Sequence, residues 1–253
     1  LKLGIAHTGA GDYRKADEAF ASAATRQLTA YEAGLGSLAN AGDRIEFRRA
    51  GELWRMRFRV YKGLNLKAEV VSGSGDAQAA LRELTMLLEM YGDQPGAEEL
   101  VTLLKLALLD VRLYMKDYAS VRDECEKEIQ KWRDTGNLEL QNRIPSIYIR
   151  LADAMWQLAF ENAGNMKGAI DLNKARWNYL TIATGFPEYP DLVEKSLFHA
   201  GLSYITMQEW GEEPDDMWSF HWGRLLKEFP KSQYAADIQR LYPERYAKLT
   251  EAK

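Results

Sequence analysis

Residues 1–24 read LKLGIAHTGAGDYRKADEAFASAA, and this stretch decides the fold. Gly4 and Ala16 are small and Phe20 is large, while Gly11 begins a turn signal between the first two. Small residues allow two helices to cross closely, and a bulky residue one helical turn further on fills the gap towards the next pair. The stretch therefore predicts two antiparallel helices that form one unit of a repeat.

The same pattern returns along the chain with decreasing clarity. Further turn signals lie near residues 76, 117, 165 and 210. They are spaced by roughly 40–50 residues, which exceeds the ~34 residues of a common two-helix repeat. The wider gap before residue 76 predicts one long pair of helices. Five units are expected, at residues 1–40, 43–92, 97–135, 145–187 and 190–230, followed by a capping helix at 232–249.

Helix-breaking residues set the expected helix boundaries. Asp76 and Asp117 are predicted N-caps, because a carboxylate there accepts hydrogen bonds from N–H groups that lack a partner in the helix. Pro145 is predicted in a first helical turn, where its missing N–H does no harm. The expected helices cover residues 1–9, 12–39, 43–72, 76–91, 97–114, 117–134, 145–162, 166–184, 190–208, 215–228 and 232–249.

The opening spacing of Leu3-Gly4, Gly11-Asp12-Tyr13 and Ala16-x3-Phe20 resembles the tetratricopeptide repeat. Residues 225–241, LLKEFPKSQYAADIQRL, are similar to repeats in bacterial cell-envelope members of that family. Trp218 and Trp222 depart from it, since they stand where alanine and phenylalanine are usual.

This resemblance implies an all-α fold, with one right-handed superhelical domain over residues 1–253 whose concave surface binds a partner protein or peptide. It also implies a periplasmic or cell-envelope setting, with the cytoplasm as the alternative, and membership of a larger complex. The family's usual tryptophan would precede Leu1, so we expect the chain to be part of a longer protein.

Composition narrows the possible functions. The chain has 33 basic and 37 acidic residues and a net charge of −4, which argues against nucleic acid as a partner. Its one cysteine excludes an intrachain disulfide and a cysteine-rich zinc site. The sequence contains no run of 18 apolar residues, so it predicts no transmembrane helix.

A cationic stripe is the first candidate binding site. At 100° per residue, five basic side chains of one predicted helix fall within about 60° of one another. They are Arg44, Arg48, Arg55, Arg59 and Lys62. The aromatic residues of the same helix fall on a separate face, predicted to pack. Arginine pairs bidentately with carboxylates, so the stripe predicts a site for an acidic peptide or another anionic ligand. The alternative is a solvated face, or one paired with acidic residues of neighbouring helices.

An aromatic cluster near the C-terminus is the second candidate. The predicted core spacing there includes Trp218, Trp222, Leu225, Leu226 and Phe229. Trp210, Phe220 and His221 fall outside that spacing and are predicted to be free to contact a partner. Acidic residues stand beside them, namely Glu212, Glu213, Asp215 and Asp216.

The sequence shows only weak signals for catalysis, metal binding or nucleotide binding. His7, His199 and His221 lack the spacing of metal ligands, and Cys125 is predicted to be a buried thiol. Residues 73–81, GSGDAQAAL, lack the Lys-Ser/Thr of a phosphate loop. We therefore expect a non-catalytic scaffold with no metal and no cofactor. An enzyme on a helical solenoid is the alternative, and a polar pocket joining His199 or His221 to several carboxylates would favour it.

Overall fold

The computed structural model describes residues 1–38, 40–136, 141–211 and 216–251, which form twelve α-helices and no strand. The prediction of an all-α fold is therefore confirmed. The chain divides into two compact units, called here the N-terminal unit (residues 1–116) and the C-terminal unit (residues 117–253). One repeat domain over residues 1–253 stays a prediction.

Apart from the last expected helix, the helix boundaries follow those expected from the sequence to within a few residues. The N-terminal unit contains α1 (Lys2–Gly9), α2 (Tyr13–Ser37), α3 (Ala41–Val71), α4 (Ala77–Tyr91) and α5 (Glu98–Tyr114). The C-terminal unit contains α6 (Tyr118–Thr135), α7 (Ile144–Glu161), α8 (Met166–Gly185), α9 (Pro190–Glu209), α10 (Trp218–Glu228), α11 (Gln233–Leu241) and α12 (Pro243–Glu251). None of these helices is both long and apolar enough to cross a membrane.

Local capping explains where several helices begin. The Asp76 carboxylate accepts hydrogen bonds from the backbone N–H groups of Gln78 and Ala79, at 2.9 and 3.1 Å. Asp117 accepts one from the N–H of Ser120 at 3.4 Å. Pro145 lies in the first turn of α7. All three predicted helix starts are confirmed.

The expected capping helix at 232–249 is wrong as a single helix. The structure ends α11 at Leu241 and begins α12 at Pro243. Proline lacks an N–H and its ring clashes with the preceding turn, so it disfavours helical backbone at the residue before it. Tyr242 accordingly leaves the helical region, with φ of −132° and ψ of 55°. Two short helices therefore form.

Small and large residues meet in the N-terminal unit, with Gly4 against Phe20, although the sequence predicted Gly4 and Ala16 at the crossing of the first two helices. A Cβ added to Gly4 of α1 would overlap the Phe20 ring of α2, and Ala16 and Phe20 are buried. The Phe20 ring also lies 6.2 Å from that of Tyr61 on α3. Phe20 thus fills the space between the first helix pair and the next helix.

The helices α2 and α3 form the long antiparallel pair that the sequence predicts. Near the connection between them, the Phe47 ring covers Gly34 and the Tyr31 ring covers Gly51. At the other end, the Asn65 amide donates to the Tyr13 carbonyl and to the Asp17 carboxylate, at 3.1 and 3.0 Å. These contacts fix the register of the pair.

The C-terminal unit repeats this complementarity with a larger ring. A Cβ added to Gly201 of α9 would overlap the indole of Trp222 on α10. Trp222 is fully buried, and its Nε1 donates to the Phe198 carbonyl at 2.9 Å. Trp218 and Leu225 are buried as predicted, and Phe229 packs against the same cluster. An aromatic on one helix again lies over a glycine on its neighbour.

Within each unit, the described helices pack substantially only against helices one or two places away along the chain. In the N-terminal unit α3 contacts α1, α2, α4 and α5. In the C-terminal unit α9 contacts α7, α8, α10 and α11. Packing in both units is therefore serial.

Candidate functional site

The strongest candidate site lies on α3. Its five predicted cations are exposed side chains of one uninterrupted helix, and we call them the α3 cationic face: Arg44, Arg48, Arg55, Arg59 and Lys62. The helix begins where the Asn40 side chain accepts a hydrogen bond from the N–H of Gly42 at 2.8 Å. Because α3 is continuous, the five side chains share one side of the helix.

The contacts of these cations are not with carboxylates. Arg44 donates to the Leu38 carbonyl at 2.6 Å, and the Arg55 guanidinium lies 5.4 Å from the centre of the Tyr31 ring. Arg59 donates to the Tyr91 hydroxyl at 3.2 Å. Among the described residues, no carboxylate oxygen lies within 4.0 Å of any of the five charged groups. Pairing with neighbouring helices therefore does not account for the stripe.

A small cavity lies beside Arg55 and Arg59. It has a volume of about 240 Å³ and is lined by these two arginines, by Glu52 and by Met56 of α3, with Tyr91 and Gln94 on the far side. Two guanidinium groups one helical turn apart can each offer a fork of N–H donors to one carboxylate. The cavity is thus large enough for an acidic side chain, and its two guanidinium groups outnumber its one carboxylate, that of Glu52.

Apolar surface adjoins the cations. Met86 and Met90 of α4 are exposed, and the Met90 sulfur lies 3.4 Å from Arg59. On α3, Phe58 is buried as predicted, but Trp54 stays exposed and packs under Arg57 at 5.1 Å. The sequence does not reveal the α4 contribution, since no local pattern predicts which part of α4 lies beside Arg59.

The structure brings together part of the second predicted set, since the Phe220 ring contacts that of His221 with centres 5.3 Å apart. Phe220 is 62% exposed, whereas Trp210 is half-buried with its ring 5.7 Å from Phe160. No ring contact joins Trp210 to Phe220 in the part of the chain that the structure describes. The acidic residues Glu212, Glu213 and Asp215 lie outside the described residues.

The prediction that His221 is free to contact a partner is corrected. His221 is only 6% exposed and stacks on Tyr204 of α9, with ring centres 5.6 Å apart. The Tyr204 ring in turn lies 4.1 Å below the Arg176 guanidinium. Burial lowers the pKa of His221 to about 4, and Arg176 and Arg224 add to the effect. Because the His221 imidazole is neutral and covered, it has little charge or exposed surface with which to bind a partner.

A polar cluster around Asp153 was not predicted. Its carboxylate accepts hydrogen bonds from the Tyr179 hydroxyl at 2.8 Å and from Lys195 at 2.6 Å. His199 stacks on Tyr179, and burial lowers the pKa of its imidazole to about 4. The cluster contains one carboxylate. No group of three or more metal-ligating side chains occurs among the described residues, in this cluster or outside it. Tyr179 is buried, whereas the Lys195 and Asp153 side chains are 27% and 25% exposed, so the cluster is a partly buried hydrogen-bond network.

Cys125 is buried, as predicted, and burial raises the pKa of its thiol to about 12. Because the thiolate is the reactive form, we expect an aromatic disulfide reagent to leave native protein unlabelled at pH 8. One equivalent should react after unfolding in urea, since the chain has a single cysteine. Fast labelling of the folded protein would contradict the burial.

The α3 cationic face therefore remains the candidate site with the clearest chemistry. It joins exposed cations, a carboxylate-sized cavity and adjacent apolar surface. No protein-family model matches the chain, and no curated protein is significantly similar to it in sequence.

Proposed function

We propose that this chain is a non-catalytic scaffold that docks an acidic segment of a partner protein on the α3 cationic face. The observation that carries the proposal is the set of five exposed cations without a carboxylate partner among the described residues. Over residues 44–62, seven basic residues stand against two acidic ones, although the whole chain has a net charge of −4. Such a local excess favours an anionic partner.

A tetratricopeptide-like stack of about five helix pairs is part of the proposal. Three observations support it: glycine beneath a large ring in both the first and the last pair, the long antiparallel pair α2–α3, and serial packing within each unit. A right-handed superhelix, a bacterial cell-envelope setting and membership of a larger complex stay predictions from the resemblance.

An acidic protein segment fits the site better than a simple anion. Met86 and Met90 offer apolar contact beside the arginines, which suits a peptide that alternates acidic and apolar residues. A small anionic ligand held by Arg55 and Arg59 is the second candidate, because the adjacent cavity has room for one carboxylate group.

The test uses a fluorescein-labelled decapeptide of alternating glutamate and leucine. We expect the double variant Arg55→Glu, Arg59→Glu to weaken its binding at least about tenfold, because reversed charges repel the probe. Binding to the unchanged protein should also weaken as NaCl rises from 50 to 300 mM, since salt screens exposed charges. Fluorescence anisotropy measures both effects.

The matched control is Arg49→Glu. Arg49 is exposed on the same helix but lies about 140° around it from Arg44, outside the cationic face. The control should bind the probe nearly as tightly as the unchanged protein. Equal losses in the control and the double variant, or binding insensitive to salt, would contradict docking on this face.

A further inference from the structure

A groove on the C-terminal unit, remote in sequence from the α3 cationic face, has features of a second binding site. Helices α6, α7 and α8 enclose a volume of about 680 Å³. Its floor contains the buried side chains of Ile129, Leu151 and Met155. This volume is within the range of about 300–1,000 Å³ that ligand sites usually have. We call it the α6–α8 groove.

Trp177 of α8 forms part of the groove wall. Its side chain is 62% exposed and makes no ring contact in the described part of the chain. An exposed tryptophan beside an apolar floor is the kind of residue that contributes most to binding energy at interfaces.

Cations are in excess along the walls. Lys127, Arg133 and Lys174 line the groove, against the carboxylates of Asp123 and Glu126. Asp123 already accepts hydrogen bonds from Arg122 at 2.7 and 2.8 Å. Glu126 is the other carboxylate of the lining, which carries three basic side chains. The charge therefore favours an occupant that is anionic as well as apolar.

The length of the groove matches a short extended peptide. Asp123 and Arg133 are ten residues apart on α6, which corresponds to about 15 Å. An extended chain spans that length with about five residues.

The polar side chains of the walls favour a peptide over an amphiphile without N–H groups. Gln130 of α6 and Asn178 of α8 line opposite walls. The Gln130 amide nitrogen donates to Asp134 at 2.7 Å, and that of Asn178 donates to the Met155 sulfur at 3.5 Å. Both carbonyl oxygens can then accept hydrogen bonds from the N–H groups of a peptide backbone.

We propose that the α6–α8 groove binds a short extended peptide segment of a partner protein, with an aromatic residue against Trp177 and acidic residues towards Lys127, Arg133 and Lys174. The groove lies wholly within the C-terminal unit. The proposal therefore does not rest on the α3 cationic face, and either one can fail without the other.

The probe is an acetylated, amidated pentapeptide with one central phenylalanine and two aspartates on each side. Titration calorimetry on the full chain should show binding that Trp177→Ala weakens at least about tenfold and Lys174→Glu several-fold. Both side chains are at the surface, so circular dichroism should show an unchanged fold. Met166→Ala, on the same helix and outside the groove lining, and Arg55→Glu, on α3, should leave affinity unchanged.

Several outcomes would overturn the proposal. The proposal fails if the pentapeptide does not bind measurably, if the same peptide with lysine for aspartate binds equally well, or if Trp177→Ala has no effect on binding. Dodecanoate binding that depends on Trp177 while the pentapeptide does not bind would assign the groove to an amphiphile. Self-association in sedimentation that Trp177→Ala abolishes would assign it to a second copy of the chain.

Discussion

Replacing Gly201 with leucine is expected to lower the free energy of unfolding of the C-terminal unit by about 2–3 kcal/mol. Any side chain on Gly201 meets the Trp222 indole. That ring is fully buried and held by the hydrogen bond from its Nε1 to the Phe198 carbonyl, so it has no open space to move into. Urea unfolding followed by circular dichroism measures the change.

Gly223→Ala is the matched control, since Gly223 lies inside the facing helix α10. A Cβ there would have its nearest neighbour, a Leu249 methyl group, at 3.9 Å, which is ordinary contact. Alanine has a higher helix propensity than glycine, so this variant should be neutral or gain up to about 1 kcal/mol. An unchanged urea midpoint for Gly201→Leu would show that Trp222 is not packed against α9.

Acidification from pH 6.5 to pH 4 is expected to destabilise the C-terminal unit through its buried histidines. Burial lowers the pKa of both His199 and His221 to about 4 in the folded protein. Between that value and the ordinary pKa of about 6.5, the unfolded chain binds protons that the folded chain does not. The free energy of unfolding must therefore fall as the pH falls. For His199, the free energy of unfolding that is lost between pH 6.5 and pH 4 amounts to about 3 kcal/mol. Above pH 6.5 this loss vanishes.

The variant His199→Gln isolates this contribution. It should flatten the plot of unfolding free energy against pH by at most about 1.4 kcal/mol per pH unit, near the middle of the window between pH 4 and 6.5, whatever its stability at pH 7. His221→Gln should flatten the plot in the same direction. Carboxylates also titrate near pH 4, so the difference from the unchanged protein is the quantity to measure. Parallel plots for His199→Gln and the unchanged protein would mean that folding does not alter the proton affinity of His199.

Much of the fold was predictable because it depends on residues close together in the chain. Asp76 caps α4 through N–H groups two and three residues away. The spacing of Ala16 and Phe20 predicted that both would pack, and both are buried, but the contact of Gly4 with the Phe20 ring was not predicted. Pro243 also carried a local signal, and the predicted helix at 232–249 wrongly continued through it.

The candidate sites were predictable only in part. Helical spacing placed five cations on one side of α3, but their lack of carboxylate partners among the described residues depends on which helices lie nearby. The same spacing left His221 outside the core, whereas Tyr204 of another helix covers it. Trp177 was not predicted as a binding residue, because the groove beside it needs residues from α6 and α7.

By itself, the sequence determined that the chain is helical and where most helices begin and end. Helical period, capping and short turns act over a few residues, so they can be read from neighbours in the chain. Tertiary structure alone decided which charges stay unpaired, which imidazoles are covered and where grooves open. Those properties depend on side chains that are tens of residues apart in sequence and meet only when the helices pack.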